Sequence, residues 1–185
     1  MARFVVSDAA PLICLAQVSG LPWLKYLFDQ VHITQQVRDE ILPGLGKPGE
    51  KILSQAIEQG GLSMHPEWNW TEPVFPSLGR GEESCIRAAV NLLKLGDESL
   101  ILMDDREARR VASSQSIAIT GTAAIVGAAR KADLVPSARA VFVALRQKGF
   151  RASAAIERAI LATVGEHPEA PNALQRSKKR PPRRR

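Results

Sequence analysis

Short apolar runs in this chain alternate with longer segments of helical periodicity, and that alternation restricts the fold more than any other property. Phe4-Val5-Val6-Ser7-Asp8, Val31-His32-Ile33, Leu100-Ile101-Leu102-Met103 and Ile117-Ala118-Ile119 have the length and composition of buried strands, with Leu62 to His65 a further candidate. Strand alternating with helix implies an α/β domain whose mostly parallel sheet is covered by helices.

The helical segments carry their own start and stop signals. Pro11 stands in the first turn of a helix presenting Leu12, Ile13, Leu15, Ala16 and Val18, and Ser19-Gly20 ends it. Leu21 to Phe28 forms a second, and Thr34 caps a third over Gln35 to Leu42, with Val37 and Ile41 inward and Glu40 near its end. Lys51 to Gln59 is amphipathic, whereas Pro66 to Leu78 holds three prolines and two tryptophans without periodicity and reads as a surface loop. A long helix opens at Gly79-Arg80-Gly81 and closes at Gly96; further helices are predicted over Asp104 to Ser114, Ala123 to Lys131, Ser137 to Gln147 and Ser153 to Val164.

The formal charge of +6 suggests a nucleic-acid binder until it is located. Seven of the 25 basic residues fall between Arg176 and Arg185, so residues 1–175 carry 18 basic against 19 acidic side chains. The predicted organisation is one domain over residues 1–165 and a basic, Pro-containing tail over 166–185 in which order fades. Cys14 and Cys85 lie far apart in apolar surroundings, as reduced, buried thiols would. No signal peptide or membrane-length apolar run is present, so a soluble, cytoplasmic protein is expected.

Two of the predicted strands run directly into carboxylates: Asp8 after the first, and Asp104-Asp105 after Leu100 to Met103. In an open α/β sheet the carboxyl edge is where ligands bind. Glu40, at a helix end, and Glu82 or Glu83, in a helix's first turn, can approach the same crevice. Gathered carboxylates without a competing His or Cys pair suit Mg²⁺ or Mn²⁺, not zinc. Such ions clamp a phosphodiester and activate an attacking water.

Each acid also has a simpler reading. Asp8 and Asp104 suit helix N-caps, Glu82 and Glu83 complement a helix dipole, and Glu40 suits a solvated helix surface. Arg106, Arg109 and Arg110 reach RNA phosphates, pair with Glu107 or simply favour the helix. Trp23, Trp68 and Trp70 either stack bases or pack in core and loop. Walker A, GxGxxG and GxSxG motifs are absent, which removes support for nucleotide-binding and serine-hydrolase readings.

Taken in order, Val5-Val6-Ser7-Asp8-Ala9-Ala10-Pro11-Leu12-Ile13, Val37-Arg38-Asp39-Glu40-Ile41, Gly79-Arg80-Gly81-Glu82, Met103-Asp104-Asp105-Arg106-Glu107-Ala108-Arg109 and Thr120-Gly121-Thr122 resemble the PIN-domain superfamily. More narrowly, they resemble its VapC-like branch of toxin ribonucleases. The resemblance spans about residues 3 to 165. It implies a three-layer α/β/α domain and a Mg²⁺- or Mn²⁺-dependent endoribonuclease, with a homodimer and a small antitoxin as partners. By the same resemblance Asp8, Glu40, Glu82 and Asp104 match the acidic site residues. Asp105 would substitute for Asp104 if the register slips by one, and Thr122 matches a small polar residue of the site.

The expected function is therefore metal-dependent hydrolysis of RNA by the toxin of a toxin–antitoxin pair. The alternative is a catalytically silent PIN-like module that binds RNA or protein. Two features depart from the pattern. Ala9 and Ala10 stand where relatives often carry Ser or Thr, and the basic tail lies outside it. That tail can raise RNA affinity through counterion release, bind another partner, or be functionally silent.

Overall fold

A computed structural model describes residues 4–47, 49–66 and 75–167. Most of the predicted Pro66 to Leu78 loop, with Trp68 and Trp70, and the basic segment from residue 168 onward lie outside these residues.

Five strands, β1 (Phe4–Ser7), β2 (His32–Ile33), β3 (Ser63–Met64), β4 (Ser99–Leu102) and β5 (Ala118–Thr120), form one sheet in the order β3-β2-β1-β4-β5. Every pairing is parallel. Among the described residues nine helices flank it: α1 (Ala9–Ala16), α2 (Leu21–Phe28), α3 (Gln35–Ile41), α4 (Glu50–Glu58), α5 (Arg80–Lys94), α6 (Arg106–Ser114), α7 (Thr122–Lys131), α8 (Ala138–Gln147) and α9 (Ala154–Thr163). The result is the three-layer α/β/α architecture that the alternation predicts, because parallel strands need crossovers and the crossover helices cover both faces.

The central strands are mostly apolar for that reason, with a buried Ser7 ending β1 and a buried Ser99 opening β4. All four residues of β4 are buried, and Ile101 and Leu102 are completely inaccessible. Burying each such side chain contributes about 1.5–3 kcal/mol relative to leaving it in water. Helix α5 buries Gly81, Ser84, Cys85, Ala88, Ala89 and Leu92, the i, i+3, i+4 stripe of a helix lying on a sheet. A Cβ on Gly127 would lie 2.8 Å from Ile160 Cγ2, so this glycine lets α7 and α9 touch. Trp23 is buried in the core. Both cysteines are free thiols, Cys85 buried and Cys14 half-buried.

Some boundaries differ from the sequence reading. β4 ends at Leu102 and α6 starts at Arg106, because Asp105, not Asp104, caps the helix by accepting from the Ala108 N–H at 2.9 Å. β5 runs one residue later than expected, its register fixed by Leu100 opposite Ala118 and Leu102 opposite Thr120. Glu166, the first residue beyond the predicted domain boundary, accepts from Ser137 Oγ, the Ala138 and Arg139 N–H groups and Arg130 Nε. Its carboxyl faces some burial, yet those donors hold it below its usual range. Among the described residues no helix is long and apolar enough to cross a membrane.

Candidate functional site

The sheet reverses its building direction between β1 and β4: the chain moves outward through β2 and β3, then returns to the far side of β1 for β4 and β5. At such a switch point the connections leave in opposite directions and open a crevice at the strands' carboxyl ends. Ser7 pairs with Leu102, and the Asp8 N–H donates to the Leu102 carbonyl at 2.9 Å. Asp8 and the segment Met103-Asp104-Asp105 therefore enter that crevice side by side.

Asp8 is 4% exposed and caps α1, Oδ2 accepting from the Ala10 N–H at a long 3.4 Å. Burial pushes its carboxyl up from 3.8 to about 6, against the pull of the Ala9 and Ala10 N–H groups; the Glu82 and Glu40 charges add to the rise. Those two glutamates come from different helices. Glu40 lies on exposed α3 surface, with Oε1 accepting from the Gly81 N–H of α5 at 2.9 Å. Glu82 reaches back to accept from the Gly79 N–H at 2.9 Å, the glutamate half of a capping box at the start of α5, since Gly79 has no side chain to return the bond. Burial raises the Glu82 carboxyl; the Gly79 bond opposes this, and the Asp105 and Glu40 charges reinforce it.

The docking of α3 on α5 sets where these glutamates stand. Thr34, the cap of α3, shares a 2.6 Å hydrogen bond with Ser84 of α5, and Ser84 Oγ also lies 2.7 Å from the Gly81 carbonyl. Both hydroxyl residues are buried, so their bond replaces water on each side. Glu83 points elsewhere, into an ion pair with Arg87 at 2.8 Å in which both side chains are largely buried.

The aspartate pair divides its work. Asp104 Oδ1 accepts from the Thr122 N–H at 2.9 Å and Oδ2 from the Thr122 hydroxyl at 2.5 Å. Asp105 is exposed and caps α6, and its charge is felt at Glu82. The Asp104 charge is felt instead at Cys14, whose thiol is raised to about 11, chiefly by burial. Asp8, Glu40, Glu82 and Asp105 thus act on one another through their charges, while Asp104 is fixed by Thr122.

Among the described residues no three His, Cys, Asp or Glu side chains already converge as ion ligands. The donors nonetheless fit a hard divalent cation. They are carboxylate oxygens, and the upward displacement at Asp8 and Glu82 includes unrelieved repulsion between neighbouring negative charges, which a cation would offset.

Sequence reasoning missed two glycines that shape this crevice. A Cβ on Gly81 would lie 2.8 Å from both Glu40 carboxylate oxygens, and one on Gly121 would lie 2.6 Å from Asp104 Oδ1. The signal was present in Gly79-x-Gly81 and in Gly121 preceding Thr122, since a glycine beside a site acid often marks a close approach. Of the candidate basic residues, Arg110 pairs with Glu107 at 2.6 Å, Arg106 is exposed, and Arg109 turns back toward the β4 end.

No curated protein matches the chain. A family profile described as PIN domain matches residues 4–166, almost all of the domain described above. PIN domains are generally nucleases that use divalent metals, a chemistry consistent with an acid-lined crevice at the switch point of a parallel sheet. The chain belongs to the PIN-domain family.

Proposed function

We propose that the chain is a metal-dependent endoribonuclease of the VapC-like branch, acting as the toxin of a toxin–antitoxin pair. What most supports this reading is the meeting of Asp8 and Met103-Asp104-Asp105 at adjacent carboxyl ends of β1 and β4, with Glu40 and Glu82 brought toward them by α3 and α5.

In this reading Asp8, Glu40, Glu82 and Asp104, with Asp105 beside them, hold Mg²⁺ or Mn²⁺. When bound, the cation supplies positive charge against the scissile phosphate and lowers the pKa of a neighbouring water. Glu82 binds Gly79 through Oε2, which leaves Oε1 for the cation, and the proton of the attacking water passes to solvent. Thr122 keeps both Asp104 oxygens oriented, and the burial of Asp8 keeps bulk water from competing at the crevice floor. Water attacks phosphorus in line; the P–O3′ bond breaks and the leaving oxygen takes a proton. The products are a 5′-phosphate and a 3′-hydroxyl. As a toxin the chain would act in the cytoplasm as a homodimer, silenced by a small antitoxin. The basic residues from Arg176 onward would add salt-dependent attraction to RNA.

One observation favours the second reading, a silent RNA- or protein-binding module. Glu40 and Asp104 already spend carboxylate oxygens on Gly81 and Thr122. Incubating the chain with mixed structured and single-stranded RNAs in Mg²⁺, Mn²⁺ or EDTA, beside Asp8→Asn and Asp104→Asn, separates the two. A nuclease cuts only with metal and in neither mutant, and Mn²⁺ raises its melting temperature by several degrees. A silent module cuts nothing and gains little stability from Mn²⁺.

A further inference from the structure

The loop that delivers Asp104 is held from two sides, and one of the holding groups is an arginine. The Met103 N–H donates to the Thr120 carbonyl at 2.8 Å, and the Met103 carbonyl accepts from Arg109 Nη1 at 2.7 Å. The Met103 carbonyl and the Asp104 nitrogen belong to one rigid peptide plane. Whatever fixes that carbonyl therefore fixes the direction in which the Asp104 Cα leaves the strand. Arg109 stands one helical turn past the Asp105 cap, where its own N–H bonds the Asp105 carbonyl at 3.0 Å. Backbone and side chain of one residue thus close the Met103-Asp104-Asp105 turn from the α6 side.

The far side of Asp104 is closed by Gly121-Thr122. The position a Gly121 Cβ would occupy lies 2.6 Å from Asp104 Oδ1, 3.1 Å from Arg109 Nη1 and 3.2 Å from the Met103 carbonyl oxygen. Carboxylate, guanidinium and carbonyl meet around that one vacant position. Arg109 is half-buried there, unlike Arg106 and Arg110, which are exposed on the same helix. A half-buried guanidinium that donates to a main-chain carbonyl gives up hydration for a fixed geometry, and a planar group with five donors suits that use.

We propose that Arg109 is a positioning residue: by gripping the Met103 carbonyl it holds Asp104 against Thr122 in the orientation the acidic crevice requires. The assignment rests on the nuclease reading in so far as Asp104 is one of that site's acids. It differs from a phosphate-contact role for Arg109, which would act on RNA directly.

The test compares Arg109→Met and Arg109→Lys with the natural chain. In metal-free protein the Thr122 N–H, bonded to Asp104, exchanges its hydrogen about 10-fold faster in Arg109→Met. The Ser63 N–H, bonded to the Val31 carbonyl in the sheet, is unchanged. Mn²⁺ binding followed by calorimetry weakens about 10-fold, kcat on RNA falls comparably, and KM stays within about twofold. Arg109→Lys, which keeps a charged donor, recovers most of each loss. Unaltered Thr122 exchange or unaltered Mn²⁺ affinity overturns the proposal, as does a rise in KM at constant kcat, which would mark a phosphate contact. If the natural chain neither binds Mn²⁺ nor cuts RNA, the nuclease reading fails, and Thr122 exchange alone then decides whether Arg109 orients Asp104.

Discussion

Gly81→Ala separates the positioning of Glu40 from the stability of the fold. The new methyl would sit 2.8 Å from both Glu40 oxygens, against an ordinary contact of at least 3.4 Å, so the carboxylate must retreat by roughly 0.6 Å. It can do so because it ends a flexible side chain on an exposed helix surface. The retreat breaks the 2.9 Å bond from the Gly81 N–H, a charge-assisted contact worth about 1.5–3 kcal/mol where water is excluded and less here. Alanine in place of glycine near the start of α5 returns about 0.5–1 kcal/mol of helix propensity. The two effects nearly cancel, and the melting temperature should move by no more than about 4 °C. In the nuclease reading RNA cleavage should fall by at least about 10-fold, because the displaced carboxylate is moved away from a cation shared with the other acids. Thermal melts beside initial cleavage rates in Mn²⁺ measure both. Wild-type cleavage by Gly81→Ala would remove Glu40 from the site, and a much larger drop in melting temperature would mean that the backbone, not the glutamate, gave way.

Gly121→Ala should behave differently, because its methyl would meet the Met103 main-chain oxygen at 3.2 Å as well as Asp104, and a strand-end carbonyl cannot swing aside; we expect a loss of about 1–3 kcal/mol in denaturant melts. Asp8→Asn should stabilise the metal-free protein at neutral pH. The folded-state carboxyl titrates near 6, above its ordinary 3.8, so its contribution is most favourable below 3.8 and is lost as pH rises through 6. The gain should approach 3 kcal/mol at most, about 1.4 kcal/mol per pH unit of displacement, and should vanish near pH 4 in EDTA. A gain that does not depend on pH would refute the burial argument. His32 should have the opposite sign of dependence. Burial first and His65 second lower its pKa, the ring stacks on Phe4 at 4.0 Å, and its buried Nδ1 has no hydrogen-bond partner among the described residues. Its contribution is therefore present above 6.5 and is lost as pH falls through the lowered value. Phenylalanine at position 32 should make the melting temperature less sensitive to acid between pH 7 and 5.

The layers of the fold were legible because burial on both faces leaves β4 apolar after Ser99, and because α5 repeats its small and apolar residues every three or four positions. The adjacency of Asp8 and Met103-Asp104 follows from the same runs, since both strands end on acids and share a register. Register at the edges was harder to read. The apolar run carries the expected strand one residue past Leu102, because Met103 is as buried as Leu102 and only the turn to Asp105 distinguishes it. The choices between Glu82 and Glu83, and between Asp104 and Asp105, depend on which partner each acid takes. Arg87 draws Glu83 away through an i, i+4 spacing that was there to be read, whereas Thr122 takes Asp104 from 18 residues along the chain, a pairing that spacing does not contain. Gly81 and Gly121 are legible only once the acid that each one approaches is known.

The Thr34–Ser84 hydrogen bond has a consequence for how such a domain decays. Asp8 and Asp104 are anchored by strands whose loss would unfold the protein, whereas Glu40 and Glu82 stand on two helices whose alignment a buried pair of hydroxyls helps to set. A descendant that exchanged either hydroxyl for an apolar side chain would keep its sheet and all four acids, and still hold two of them out of place. An inventory of acidic residues would count that descendant among the living enzymes. The sounder marker of an intact site is the union of the acids with Thr34, Gly81, Ser84, Gly121 and Thr122, because selection on chemistry reaches the acids only through the residues that hold them.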